Sequence, residues 1–243
     1  MELIFNPDDI EALLRAAAAE HPDELLSVFQ TQVGLWFRPE RRLLIVGRAT
    51  NGWGTFEDVE GEDIRTQFPA KTALDASQRQ DWSRRTLESI DGDPLAWADG
   101  HARRSAFVRV ARRIAIGLDA PMVDWYRHVA WTQLYKLGRA AELNPSEELM
   151  DAQLPICRQL LARELEALAP QAVVFLVGCG PTADWFQWFD SALGFRETAR
   201  HRVGRDDVRY GFVGQTRAAV LPHPQGRAET PLVEAALAHL RVT

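Results

Sequence analysis

Lysine is nearly absent from this chain of 243 residues, occurring only at positions 71 and 136. Cysteine is as scarce, with Cys157 and Cys179 alone. The two form no CxxC pair and have no histidine at ligand spacing, so neither a zinc nor an iron–sulfur site is expected, nor any cofactor. Cys157 falls in a helical stretch and reads as a small core residue. No apolar run approaches the roughly 20 residues that cross a bilayer. The opening "MELIFNPDDIEALL" carries acids early and lacks the basic-then-apolar signal pattern. A soluble, cytoplasmic protein without a membrane partner is expected. No GxGxxG or phosphate-loop fingerprint occurs, which counts against an unrelated α/β enzyme acting on a small nucleotide. Internal repeats, low-complexity tracts and any sign of an obligate protein partner are missing too.

What is present is an apolar fraction of 46%, enough for a sizeable core, and a net charge of −6. That balance argues mildly against a general nucleic-acid coat protein. It leaves room for a nucleic-acid enzyme, because a local basic face suffices for phosphate contacts. Arginine supplies nearly all the positive charge and clusters in "HARRSAFVRVARR" (101–113) and "RETARHRVGRDDVR" (196–209). Solvated faces are the competing explanation for both.

Short β-branched runs that end in glycine mark buried parallel strands. "LLIVG" (43–47) and "AVVFLVG" (172–178) are of this kind, and "HVAWTQLY" (128–135), "VRYGFVG" and "AAVLP" are further strand candidates. Two amphipathic helices broken near His21-Pro22 are expected over the first 40 residues, then helices near 79–90, 103–117, 181–192 and 230–241. In "NPSEELMDAQLPICRQLLARELEALAP" Asn144 is the expected cap, Pro145 the first helical residue and Glu147 the closing member of a capping box. Pro155 should kink that helix. The alternation predicts a single doubly wound α/β domain over 1–243: a three-layer αβα sandwich on a mainly parallel sheet of four to five strands. The loops "RATNGW", "CGPTADW" and "HPQGR" should meet at the carboxyl edge, where such sheets bind ligands. Taken alone, the first of these reads as an ordinary strand-to-helix connection.

Taken together, these segments resemble the uracil-DNA glycosylase superfamily over about 42–228. The most specific match is "WTQLYKL…LNPSEELMDAQLPICRQLLARELEALAPQAVVFLVG", flanked in order by "VGRATNG" and "LPHPQGR". The resemblance implies a uracil-DNA glycosylase-like fold and a DNA partner. It also implies hydrolysis of an N-glycosidic bond after the base is flipped out of the duplex. The family's histidine corresponds to His223, which would stabilise negative charge on the leaving base; such donors are worth roughly 3–4 kcal/mol. The asparagine that reads the base edge corresponds to Gln133, one methylene longer. The family's water-handling Glu, Asp or Asn is replaced by Arg48 and Ala49. That role passes to Asn51, or to Glu57 or Asp58 in "FEDVEG", with Asn51 and Asp58 preferred. Cys157 matches one ligand of the clustered members, but the others are missing, so no cluster is implied.

A flipped base also needs a flat wall, for which Trp53, Phe56 and Phe68 are candidates; each reads equally well as a loop or core aromatic. Arg48 and Arg227 are candidate phosphate contacts. Arg48 equally could hold Asp58, or mark an inactive relative. The altered first motif and Gln133 suit a modified or larger pyrimidine rather than uracil, including those of phage DNA, which would give a repair or defence role. The alternative is a catalytically silent DNA- or nucleotide-binding member of the same fold.

Overall fold

The structure is a computed structural model, and it describes residues 7–20, 25–29, 31–38, 43–49, 66–69, 95, 98–99, 104–139, 144–178 and 184–241. Its helices are α1 (Pro7–Glu20), α2 (Ala106–Gly117), α3 (Glu147–Leu168) and α4 (Glu229–Leu240). Its strands are β1 (Leu25–Val28), β2 (Gln32–Val33), β3 (Leu43–Gly47), β4 (Thr66–Pro69), β5 (Val129–Gln133) and β6 (Leu137–Arg139), then β7 (Ala172–Leu176), β8 (Phe195–Val203), β9 (Asp206–Val213) and β10 (Thr216–Leu221). Two compact units divide the chain, each assembled from three separate segments.

The first unit comprises 1–31, 48–92 and 133–164. Its three-stranded sheet has the order β4-β1-β6, with both pairings antiparallel. Gln153 on α3 ties the helix to β6: its Oε1 accepts from Leu137 N at 2.8 Å and its Nε2 donates to Leu137 O at 3.1 Å. The start of α3 differs from the expected cap. Helix begins at Glu147, and Ser146 Oγ accepts from Leu149 N at 3.3 Å. The hydroxyl two residues after Asn144 thus serves a free N–H of the first turn. Pro155 lies within the continuous helix.

The second unit comprises 32–47, 93–132 and 165–243 and holds the seven-stranded sheet, order β2-β5-β3-β7-β10-β9-β8. β3 and β10 flank β7 in parallel, while β2, β9 and β8 join antiparallel. The α/β class is as expected, but the sheet is larger and more mixed than four to five mainly parallel strands. β3, β5 and β7 are buried throughout, as strands covered on both faces must be. β8, "FRETARHRV", is mostly exposed. It has no apolar run to announce it and is held by its ladder to β9.

Two further expectations are corrected. Beyond α1 the chain forms β1 and β2, not a second helix. Leu25, Leu26, Val28 and Phe29 fit helical spacing, but a strand in this position pairs with both β4 and β6. At 181–192 the described part is a single 3-10 turn, Phe186–Trp188, with turns after it. Phe186 there packs on Phe175 and Phe195 with ring centroids 4.6 and 5.1 Å apart. The stretch near 79–90 lies outside the described residues. In those described, no helix is long and apolar enough to cross a membrane.

Candidate functional site

The parallel registers fix one edge. Val46 pairs with Phe175 and Phe175 with Val220, so β3, β7 and β10 all end on the same side of the sheet. β10 runs straight into Pro222-His223-Pro224, and Gly178 N donates to Leu221 O at 2.9 Å. His223 is therefore delivered at the end of a buried strand, where it is half-buried. Phe107, in the first turn of α2, stands between two partners. Its ring centroid is 5.7 Å from that of His223 and 5.0 Å from that of Trp131 on β5. Ser105 caps this helix start, with Oγ accepting from Val108 N at 3.4 Å.

The tautomer of His223 follows from its neighbours. Gln225 N donates to Nδ1 at 3.4 Å, which leaves the proton of the neutral ring on Nε2. Arg227 shapes the loop rather than reaching outward. Its Nε and Nη2 grip Asp206 at 2.7 and 2.8 Å, and its Nη1 donates to His223 O at 2.9 Å. Hydrogen bonds from Arg227 hold the Asp206 carboxyl below the usual carboxylate range. Gly226 turns the loop back with φ 73°.

Gln133, the last residue of β5, is only 4% exposed. Its side-chain Oε1 is buried and, among the described residues, meets no hydrogen-bond donor, as is also true of the indole N–H of Trp131 for acceptors. Burying an unmet amide acceptor costs about 1–3 kcal/mol, so such groups point to a missing ligand, water or function. The backbone at this point is held firmly. Lys136 Nζ donates to Gln133 O at 2.8 Å and pairs with Glu164 at 2.8 Å, both side chains being wholly buried. Thr31 Oγ1 donates to the same carboxylate, and Phe29 N donates to Lys136 O at 2.7 Å. Two residues after β5, Tyr135 N donates to Arg48 O at 3.0 Å, so the chain leaving β5 runs beside the chain leaving β3.

Among the expected site residues, Gln133 and His223 thus each lie at a strand end. Arg48 is half-buried and Ala49 buried. Arg227 is committed to Asp206. Phe68 lies in β4. Asn51, Trp53, Phe56, Glu57 and Asp58 lie outside the described residues. Four residues that the sequence did not single out are Phe107, Trp131, Lys136 and Glu164. Phe107 sits in the arginine run of 101–113, and Lys136 is one of only two lysines, which were their only signals. Cys157 is a buried core residue whose thiol is pushed up to about 12 by burial; it donates to Gln153 Oε1 at 3.3 Å. Among the described residues no group of three or more His, Cys, Asp or Glu is arranged to hold a metal.

In comparisons with known proteins, no family model matches the chain, and no curated protein matches it.

Proposed function

We propose that this protein is a divergent, metal-free member of the uracil-DNA glycosylase superfamily, cytoplasmic and acting on DNA. It would cleave the N-glycosidic bond of a flipped-out, modified pyrimidine in repair or in defence against phage DNA. The observation that carries the reading is the Gln133 amide. A buried, unmet acceptor at the end of a sheet strand suits the polar edge of a base, which offers N–H donors to Oε1. The resemblance gives His223 the complementary role, hydrogen-bonding the oxyanion that forms on the base as the bond breaks. The bond-breaking electrons go to the base, a water oxygen adds to the sugar C1′, and the proton that water gives up ends, through solvent, on the released base. Asn51 is the favoured residue to orient that water, with Asp58 second. The three-layer fold of the superfamily is part of the same reading.

The test is abasic-site formation on oligonucleotides carrying uracil, hypoxanthine and modified cytosines, with wild type and Gln133→Leu in parallel. The wild type is expected to release a base and the variant to lose release by 100-fold or more. The variant should at the same time gain up to about 1–3 kcal/mol of stability, because the unmet buried acceptor is gone. Equal activity in both proteins defeats the assignment of Gln133. One observation favours a second reading, a silent DNA- or nucleotide-binding relative. Arg48 stands where the resemblance calls for a carboxylate or amide, and a guanidinium opposes positive charge on the sugar.

A further inference from the structure

The β8–β9 hairpin occupies the open edge of the seven-stranded sheet, and its turn comes to the His223 loop. β9 runs antiparallel to β10 with Arg209 opposite Val220, so the turn between Val203 and Asp206 lies at the end where β10 delivers His223. Gly204 occupies the first loop position with φ 62°, as a two-residue hairpin loop requires. Asp206 is the residue gripped by Arg227, whose third contact is the carbonyl of His223. Hairpin turn and histidine loop are therefore bolted together through one guanidinium.

Five arginines of the 196–209 segment separate cleanly by role. Arg200 pairs with Glu197 at 2.9 Å, and Arg209 pairs with Glu197 at 2.7 Å and Asp190 at 3.1 Å. Arg196 lies over the Phe212 ring at 5.2 Å. Arg202 and Arg205 are exposed at the turn, and no ion pair among the described residues engages them. Arg202 Nη2 donates to Arg205 O at 3.3 Å, which keeps the two together. Two exposed guanidinium groups beside one two-residue turn present forked donors to successive phosphates. On a chain of net charge −6, such a cluster is also what lets a polyanion approach.

We propose that Arg202 and Arg205 form a phosphate-gripping tip that holds the DNA backbone beside the nucleotide offered to His223. This rests on the glycosylase reading. It transfers the phosphate contact from Arg227, whose guanidinium is already committed, to the turn that Arg227 supports.

The experiment is fluorescence anisotropy of a labelled DNA duplex titrated with the full chain between about 50 and 300 mM salt, for wild type and Arg202→Ala/Arg205→Ala. Each lost phosphate contact lowers the slope of log K against log salt by about 0.9, so the pair should lower it by about 1.8. Weakening should be uniform across sequences, and the melting temperature should change little, because both residues are exposed and act on Asp206 only through charge, with no ion pair among the described residues. A variant that keeps the wild-type slope overturns the hairpin assignment. If wild type still forms abasic sites in that case, the glycosylase reading stands alone. A wild-type protein that binds no duplex and no single strand removes both.

Discussion

Lys136→Met unpairs a carboxylate that has no access to water. Lys136 and Glu164 are both wholly buried, and the ammonium also serves the carbonyl of Gln133. Removing one partner of a buried pair costs about 3–5 kcal/mol, most of it from the charge left behind. For a chain of this size, 1 kcal/mol moves the melting temperature by about 2–4 °C, so a drop of roughly 6–20 °C is expected. Lys136→Met/Glu164→Leu removes both charges at similar volume and should recover part of that loss, although Thr31 Oγ1 then also loses its acceptor. It still leaves the Gln133 carbonyl without its donor, at about 1–3 kcal/mol. The assay is thermal and urea unfolding of the three proteins, followed by circular dichroism and tryptophan fluorescence. Base release measured on the double variant then separates stability from positioning: the fold should survive while the rate falls, because the Gln133 backbone is no longer pinned. A single variant within about 1 kcal/mol of wild type would show that the pair is not buried as described, and so would a double variant less stable than the single.

Gly211→Ala should destabilise the hairpin, since a Cβ there would run into Arg196 O, a backbone atom beside the β8 bulge. A cost of about 1–3 kcal/mol is expected from overpacking, and a neutral melt would count against the described pairing. Acid should loosen the same hairpin. Hydrogen bonds from Arg227 lower Asp206, and those from Arg200 and then Arg209 lower Glu197. A carboxylate lowered in the folded state contributes stability above its unfolded value, about 4. That stability is lost as pH falls through the folded value. Amide exchange in β8 and β9 should therefore be flat from about pH 7 to about 5 and quicken, relative to the intrinsic rate, below about 4; protection that rises on acidification is the opposite outcome. Asn51→Ala should reduce base release strongly with DNA binding nearly kept, while Asp58→Asn should be milder. The reverse order would move the water-handling role to Asp58.

The buried strands were legible because short apolar runs closed by glycine or proline have few other uses: β3, β7 and β10 fall at "LLIVG", "AVVFLVG" and "AAVLP". α2 and α4 were legible from helical spacing. β8 was not, since its alternation is of charged and small residues whose partner is the neighbouring ladder. The stretch after α1 has helix-compatible spacing, and only tertiary pairing with β4 and β6 decides for strand. Gln133 and His223 were legible as strand-end residues because each closes or follows an apolar run. Their supports were not. Lys136 and Glu164 are 28 residues apart, Asp206 and Arg227 21 apart, and no local pattern announces either pair. An arginine counted from the sequence is only a charge. That Arg227 is committed and Arg205 is not follows from where the fold puts Asp206.

If the chain breaks a bond to a base, the free base is the product to look for. Duplex DNA containing modified pyrimidines is incubated with the full chain, and the small-molecule fraction is analysed by chromatography and mass spectrometry. A glycosylase should yield a free pyrimidine, released in equal number to the abasic sites left in the DNA and without added metal. DNA that is bound with a clear salt dependence but yields no free base from any substrate would rule the activity out, and would leave the silent binding relative in its place.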